Sequence, residues 1–182
     1  QVNQAIAEAI YTGIATDTGN FRFASTTPAT HKAAAFLIEK GVNPGVIASR
    51  VYDSNSPSRL KLLSRALDNM EVFPNLSAAL ITLSEKDFTD IGYEKGITEG
   101  FVNYGLSLLN IELSVFYYPS DKGVKMSFRS KTNFDVNTFA RTYFNGGGHK
   151  NAAGALSPYG YAETRKMLIE KIENHKDEIT SN

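Results

Sequence analysis

NGGGHKNAAG, residues 145–154, sets three glycines directly before one of only three histidines. Glycine runs raise the conformational entropy lost on folding. A folded chain therefore keeps them where backbone bends at φ > 0 or comes very close to another group. Adjacent N–H groups bare of side chains can cradle an anion, and His149 and Lys150 can add donors. A phosphate is the natural guest. Against this stands a plainer reading, a glycine-rich connection between a helix and the next element.

Composition bounds the choice. The 182 residues, 42% hydrophobic and 21% charged, suit one ordinary globular domain or two small ones. With a formal net charge of zero there is no global field for coating nucleic acid, so any nucleotide site has to be a local cluster. The chain has no cysteine, which removes disulfides, thiolate metal sites and a thiol nucleophile, and fits a reducing compartment. No apolar run approaches the roughly 18 residues of a membrane span, and no signal-peptide pattern opens the chain. A cytoplasmic protein with no membrane partner is expected. The chain begins with Gln1 instead of Met, which suggests an upstream piece.

Working outward, residues 1–69 read as almost entirely helical. Ile6, Ile10 and Ile14 form an i, i+4 stripe beside Ala5, Ala9 and Gly13, predicting a buried helix ending near Thr16. Thr27-Pro28, Asn43-Pro44 and Ser56-Pro57 are each a cap followed by a first-turn proline, and each opens a helix. In the last of these, Leu60, Leu63, Ala66 and Leu67 are expected to face inward. The period then changes. LSAALITLS (76–84) predicts a strand, ITEGFVNYGLSLL a helix over 98–109, and IELSVFYYP with GVKMSFRS a hairpin through Ser120, Asp121 and Lys122. Helices follow over 135–144 and 161–179. The shift near EVFPN (71–75) predicts two domains, 1–69 and 70–182, the second a small α/β domain with a mixed sheet.

Two more stretches carry chemistry. In TDTG (16–19), Asp17 sits where a helix ends in a glycine turn, so its carboxylate is either aimed at a divalent metal from a rigid element or bonded into the turn itself. In FRSK (128–131), Arg129 closes a strand and is followed by a hydroxyl and a lysine. Arginine matches phosphate oxygens bidentately and Ser130 can donate to a third oxygen, the alternative being an exposed basic strand end. His31 and His175 read as solvated surface residues. Tyr143, Phe144 and Tyr161 can stack a base but more naturally fill a core.

TDTGNFRF, ITEGFVN, MSFRSK and FNGGGHKNAAG, in that order and separated by helices, resemble the DHH phosphoesterase superfamily. The likeness is to its branch of nanoRNases and pAp phosphatases, where pAp is adenosine 3′,5′-bisphosphate; this branch is also called exopolyphosphatase-related or RecJ-like. The resemblance implies an α/β fold in which 1–69 is the helical C-terminal part of the catalytic domain and 70–182 is the substrate-binding DHH-associated domain. It further implies a hydrolase of short oligoribonucleotides, linear dinucleotides and pAp. Asp17 matches an aspartate of the family's last metal motif, so it would ligate one manganese of a two-metal centre that makes hydroxide from water. Arg129 and His149 match the substrate-gripping positions, with Ser130 and the amides of Gly147 and Gly148 as helpers. Lys150 is the lesser candidate, with solvation as its alternative. The implied partner is a short RNA or nucleotide, and a homodimer is compatible with the resemblance.

The sequence departs from the family in lacking Asp-His-His, Asp-x-Asp and any Asp/His cluster beyond Asp17, so most of the metal site is absent and an N-terminally truncated chain is expected. Two other functions stay open. One is a non-catalytic nucleic-acid-binding module like the tail of alanyl-tRNA synthetases, and the other is a cyclic-dinucleotide phosphodiesterase.

Overall fold

A computed structural model describes residues 2–23, 26–131 and 133–181. The chain folds as two compact units, Gln1–Asn55 and Ser56–Asn182.

The first unit holds α1 (Gln4–Asp17), α2 (Pro28–Glu39) and α3 (Pro44–Tyr52). Their starts follow the sequence signals: the side chains of Asn3, Thr27 and Asn43 accept from first-turn amides, and Pro28 and Pro44 occupy the first helical turn. The core of this unit is Ala7, Tyr11, Ala15, Ala34, Leu37, Val42 and Ile47. The predicted isoleucine stripe does not face inward, since Ile6 and Ile10 are 45% and 44% exposed. The inward face is the neighbouring one, made by Ala7, Tyr11 and Ala15, and only Ile14 of the stripe packs against it.

The second unit is a six-stranded mixed sheet in the order β1 (Glu71–Phe73), β2 (Ala78–Thr82), β3 (Leu113–Ser120), β4 (Gly123–Ser130), β6 (Ala152–Ser157), β5 (Gly147–His149). Only the β2–β3 pair is parallel. The remaining helices are α4 (Pro57–Asp68), α5 (Glu85–Ile91), α6 (Asn103–Leu106), α7 (Val136–Phe144), α8 (Tyr161–Asn174) and α9 (Lys176–Thr180). Period-two alternation gives the sheet two different faces. On one, Leu80, Val115, Tyr117, Met126 and Phe128 pack with residues of α7, α8 and α9 in the main core. On the other, Ile81, Phe116 and Tyr118 pack with Leu62 and Ala66 of α4 and with Ile97, Phe101 and Val102.

That second cluster explains why α4, grouped by composition with the first 69 residues, belongs to the second unit. Its inward residues are Leu62 and Ala66 with Leu63 beside them, while Leu60 is 54% exposed and Leu67 also faces solvent. The helix expected over 98–109 shrinks to α6, because Gly96 and Gly100 take φ of 86° and 79° and turn the chain before it. Guanidinium nitrogens of Arg59 on α4 donate to the carbonyls of Ile97 and Glu99 and hold that turned segment. The helix over 161–179 breaks at His175, the C-cap of α8. This histidine is not a simple surface residue: Nδ1 lies 2.9 Å from Lys171 O, and the ring is within 5.4–6.0 Å of Phe139, Tyr143 and Phe134. The hairpin falls where expected, with Ser120 paired to Gly123.

Candidate functional site

The glycine segment is an edge strand, not a free loop. α7 ends at Asn145 in the left-handed region (φ 55°), and residues 147–149 then pair with 152–154 of β6. Two of the three glycines are explained by the protein's own packing. A Cβ on Gly146 would collide with Gly154 O and with the β carbons of Ala155 and Ala140, and one on Gly148, at φ 154°, with the backbone of Ala152 and Ala153. At Gly147 a Cβ would meet Arg141 Nε at an ordinary 3.6 Å. The Gly148 N–H donates to Asn137 Oδ1 at 2.9 Å, an oxygen that also accepts from Arg141 Nε at 3.0 Å.

Register decides which predicted residues meet. Arg129 pairs with Ala152 on one side, and Ala152 pairs with His149 on the other. Directly opposed residues share a face, so Arg129 and His149 flank Ala152 on one side of the sheet, about 10 Å apart at two strand spacings. The row continues through Ser114 and Ala79, which α6 covers through Gly105. Beyond Arg129 the row runs through Ala152 to the edge strand β5. His149 and Gly154 are exposed, and Arg129, Ala152 and Gly147 are half-buried.

Arg129 Nη1 donates to Phe128 O at 2.9 Å. Partial burial pulls its guanidinium below the ordinary arginine range, and the Glu99 carboxylate opposes that shift. An arginine remains a cation near neutral pH, and one partly stripped of water at the margin of an exposed strand suits an anion. His149, its ring in solvent, can add a donor from the far side of Ala152.

The other predicted helpers lie elsewhere. Ser130, one residue on, faces the opposite side of β4; its hydroxyl donates to Phe134 O at 2.8 Å and accepts from Asn151 Nδ2 at 2.9 Å. It is 7% exposed and ties down the segment before α7. Lys150 extends its ammonium to Asn133 Oδ1 at 3.0 Å. Tyr143 and Phe144 are packed in the main core, and Tyr161 stacks on Tyr117 at 5.4 Å. Asn137 went unnoticed in the sequence, although its place two residues after the capping Asp135 left its side chain free to reach β5.

Asp17 belongs to the first unit. It is exposed at the last turn of α1, and the turn after it is bonded by Thr18, whose hydroxyl donates to Ile14 O at 2.6 Å and accepts from the Phe21 N–H at 3.0 Å. Gly19, Asn20 and Phe21 all take left-handed φ of 57–63°, a tight reversal that fixes the helix end. Among the described residues no three of His, Asp and Glu come together to hold a metal ion. By themselves they do not fit a two-manganese centre, and Asp17 offers one carboxylate. Among the described residues, too, no helix is long and apolar enough to cross a membrane.

Comparison with known proteins agrees with this architecture. Over 96% of this chain, 35% of residues are identical to "Bifunctional oligoribonuclease and PAP phosphatase NrnA" of Thermus thermophilus, a match spanning 51% of that protein. The Bacillus subtilis protein of the same name is 31% identical over 93% of this chain and 53% of its own length. The crystal structure of an exopolyphosphatase-related protein from Bacteroides fragilis superposes with a TM-score of 0.94 at 36% identity, covering 98% of this chain and 53% of that one. The chain thus spans about half the length of the relatives it matches. Residues 76–177 match the DHHA1 domain family, which is more than half of the sequence, and the chain belongs to the DHH superfamily as its C-terminal, DHHA1-bearing part.

Proposed function

We propose that this chain is the substrate-gripping, C-terminal portion of a phosphoesterase that hydrolyses short oligoribonucleotides and pAp. The observation that carries the reading is the Arg129–Ala152–His149 row on the open half of the sheet. It pairs a half-desolvated fork of donors with an imidazole across a residue too small to obstruct a ligand. Arg129 takes two oxygens of one phosphate, His149 donates to a third, and Ala152 beneath leaves room for the sugar. The names of the relatives, oligoribonuclease and PAP phosphatase, supply the substrate class.

Asp17 would be this chain's carboxylate toward a manganese centre whose other ligands come from outside the described residues, an arrangement supported by the half-length coverage of the relatives. A homodimer and a cytoplasmic location are part of the same proposal. The test is to mix the 182 residues with manganese and either pAp or a dinucleotide, then measure binding by calorimetry and phosphate or nucleotide release by chromatography. The proposal expects binding without hydrolysis. Turnover by these residues alone would overturn the division of labour, and absence of any binding would overturn the grip.

A further inference from the structure

We infer that the open half of the sheet takes a chain of several nucleotides, with Lys125 holding a second phosphate and the cleft beside it a base. The inference rests on the phosphate reading of Arg129 and His149 and extends it along the same strand.

Positions 129, 127 and 125 alternate with the buried Phe128, Met126 and Val124, so Arg129, Ser127 and Lys125 all stand on the open face of β4. Lys125 lies about 13 Å from Arg129 along the strand. That distance is roughly four nucleotide rises of a stacked strand at about 3.4 Å each, and fewer of an extended one. The floor between them is low: Ser127 is level with Gly154, and Gly154 with Gly147, so these strands raise nothing longer than a serine there.

At its far end the path meets a cleft of about 780 Å³ bordered by Lys125, Tyr118, Phe88 and Tyr93. This is within the range that holds small organic ligands. The Lys125 ammonium sits 6.0 Å from the Tyr118 ring centroid. Tyr93 is 58% exposed and meets Phe88 edge-on at 5.7 Å. Tyr118 itself is buried, so the ring offered to a base is Tyr93, which borders the same cleft as Lys125. Single-strand binders combine such a ring with a cation for the phosphate. Glu85 and Asp121 also border the cleft. Lys122 borders it too, so two ammoniums balance the two carboxylates, and Lys125 is the cation that stands on the strand path itself. A ligand as short as pAp ends before this cleft, whereas a tetranucleotide reaches it.

Binding of pAp and of a tetraadenylate to the full chain is measured by calorimetry in chelator, so that nothing is hydrolysed, at several salt concentrations. Lys125→Ala is expected to leave pAp affinity unchanged. For the tetranucleotide it weakens binding and lowers the slope of log K against log salt by about 0.7, the share of one phosphate on a single strand. Tyr93→Ala weakens the tetranucleotide roughly fivefold or more through lost stacking, without changing the slope. Unchanged tetranucleotide binding in both variants overturns the inference, as does an equal loss for both ligands. If the unaltered chain binds neither ligand, the failure belongs instead to the reading of Arg129 and His149.

Discussion

Arg129 and His149 stand level with each other on one face of the sheet, each paired with Ala152 between them. Twenty residues separate them in sequence, and the antiparallel return of β6 between β4 and β5 closes that gap. The residue between them is small, and the strands around it present Ser127, Gly154 and Gly147. The site is therefore a shallow tray with a cation on one side and an imidazole on the other.

The glycines at 146 and 148 are required by packing, and that at 147 is not. Gly146→Ala drives a methyl into Gly154 O and two alanine β carbons, an overpacking that costs about 1–3 kcal/mol. Gly148→Ala adds an unfavourable φ to a collision with β6 and should be at least as damaging. Gly147→Ala should stay within about 0.5 kcal/mol of the unaltered chain. Denaturant unfolding of the three variants checks the order.

Ser130 belongs to stability. Ser130→Ala removes the donor to Phe134 O and the acceptor for Asn151 Nδ2 in a buried place, which costs about 1–3 kcal/mol. The thermal midpoint should fall while pAp affinity, measured well below that midpoint, is retained. A loss of affinity at an unchanged midpoint would return this hydroxyl to the phosphate.

Asp135 makes stability depend on acid. Its carboxylate accepts from the amides of Thr138 and Asn137 and from the Thr138 hydroxyl, and the Thr138 amide contributes most to holding it below the usual 3.8. Because the folded value lies below the unfolded one, the stabilisation is fully present above about pH 4 and is lost as pH falls through the folded value. At neutral pH, Asp135→Ala should cost about 0.5–2 kcal/mol as a lost helix cap, and Asp135→Asn much less. Thermal midpoints between pH 7 and 2 should converge for the unaltered chain and Asp135→Asn at the acid end.

Much of this was legible in the sequence, and the failures have physical causes. Cap-proline pairs marked α2, α3 and α4 because each supplies a local acceptor and a preset φ, with no tertiary help. The hairpin was equally local. The isoleucine stripe misled because hydrophobic periodicity marks two adjacent apolar faces of α1 and does not say which one the rest of the unit packs on; it is the face of Ala7, Tyr11 and Ala15. α5 and β1 were missed, although Ser84 and Asp87 spell a capping box, because a seven-residue helix and a three-residue strand leave little periodic signal. For the site, GGGH and FRSK were visible as strings, but strings do not say which side of a strand each residue takes. Adjacent residues point to opposite faces, which puts Ser130 in the core, Arg129 in the open and Lys125 further along the strand on the same face as Arg129.

The central claim is that Arg129 and His149 grip one phosphate, and the affinity of pAp measures it most directly. Calorimetry on His149→Ala and Arg129→Lys, with thermal midpoints taken alongside, should show each variant binding roughly ten- to a hundredfold more weakly. That range corresponds to one charge-assisted contact of about 1.5–3 kcal/mol. The midpoints should hold, since His149 is exposed and Arg129 lies outside the buried core. Unchanged affinity in both variants would contradict the account and leave GGGH as nothing more than the edge strand of its sheet.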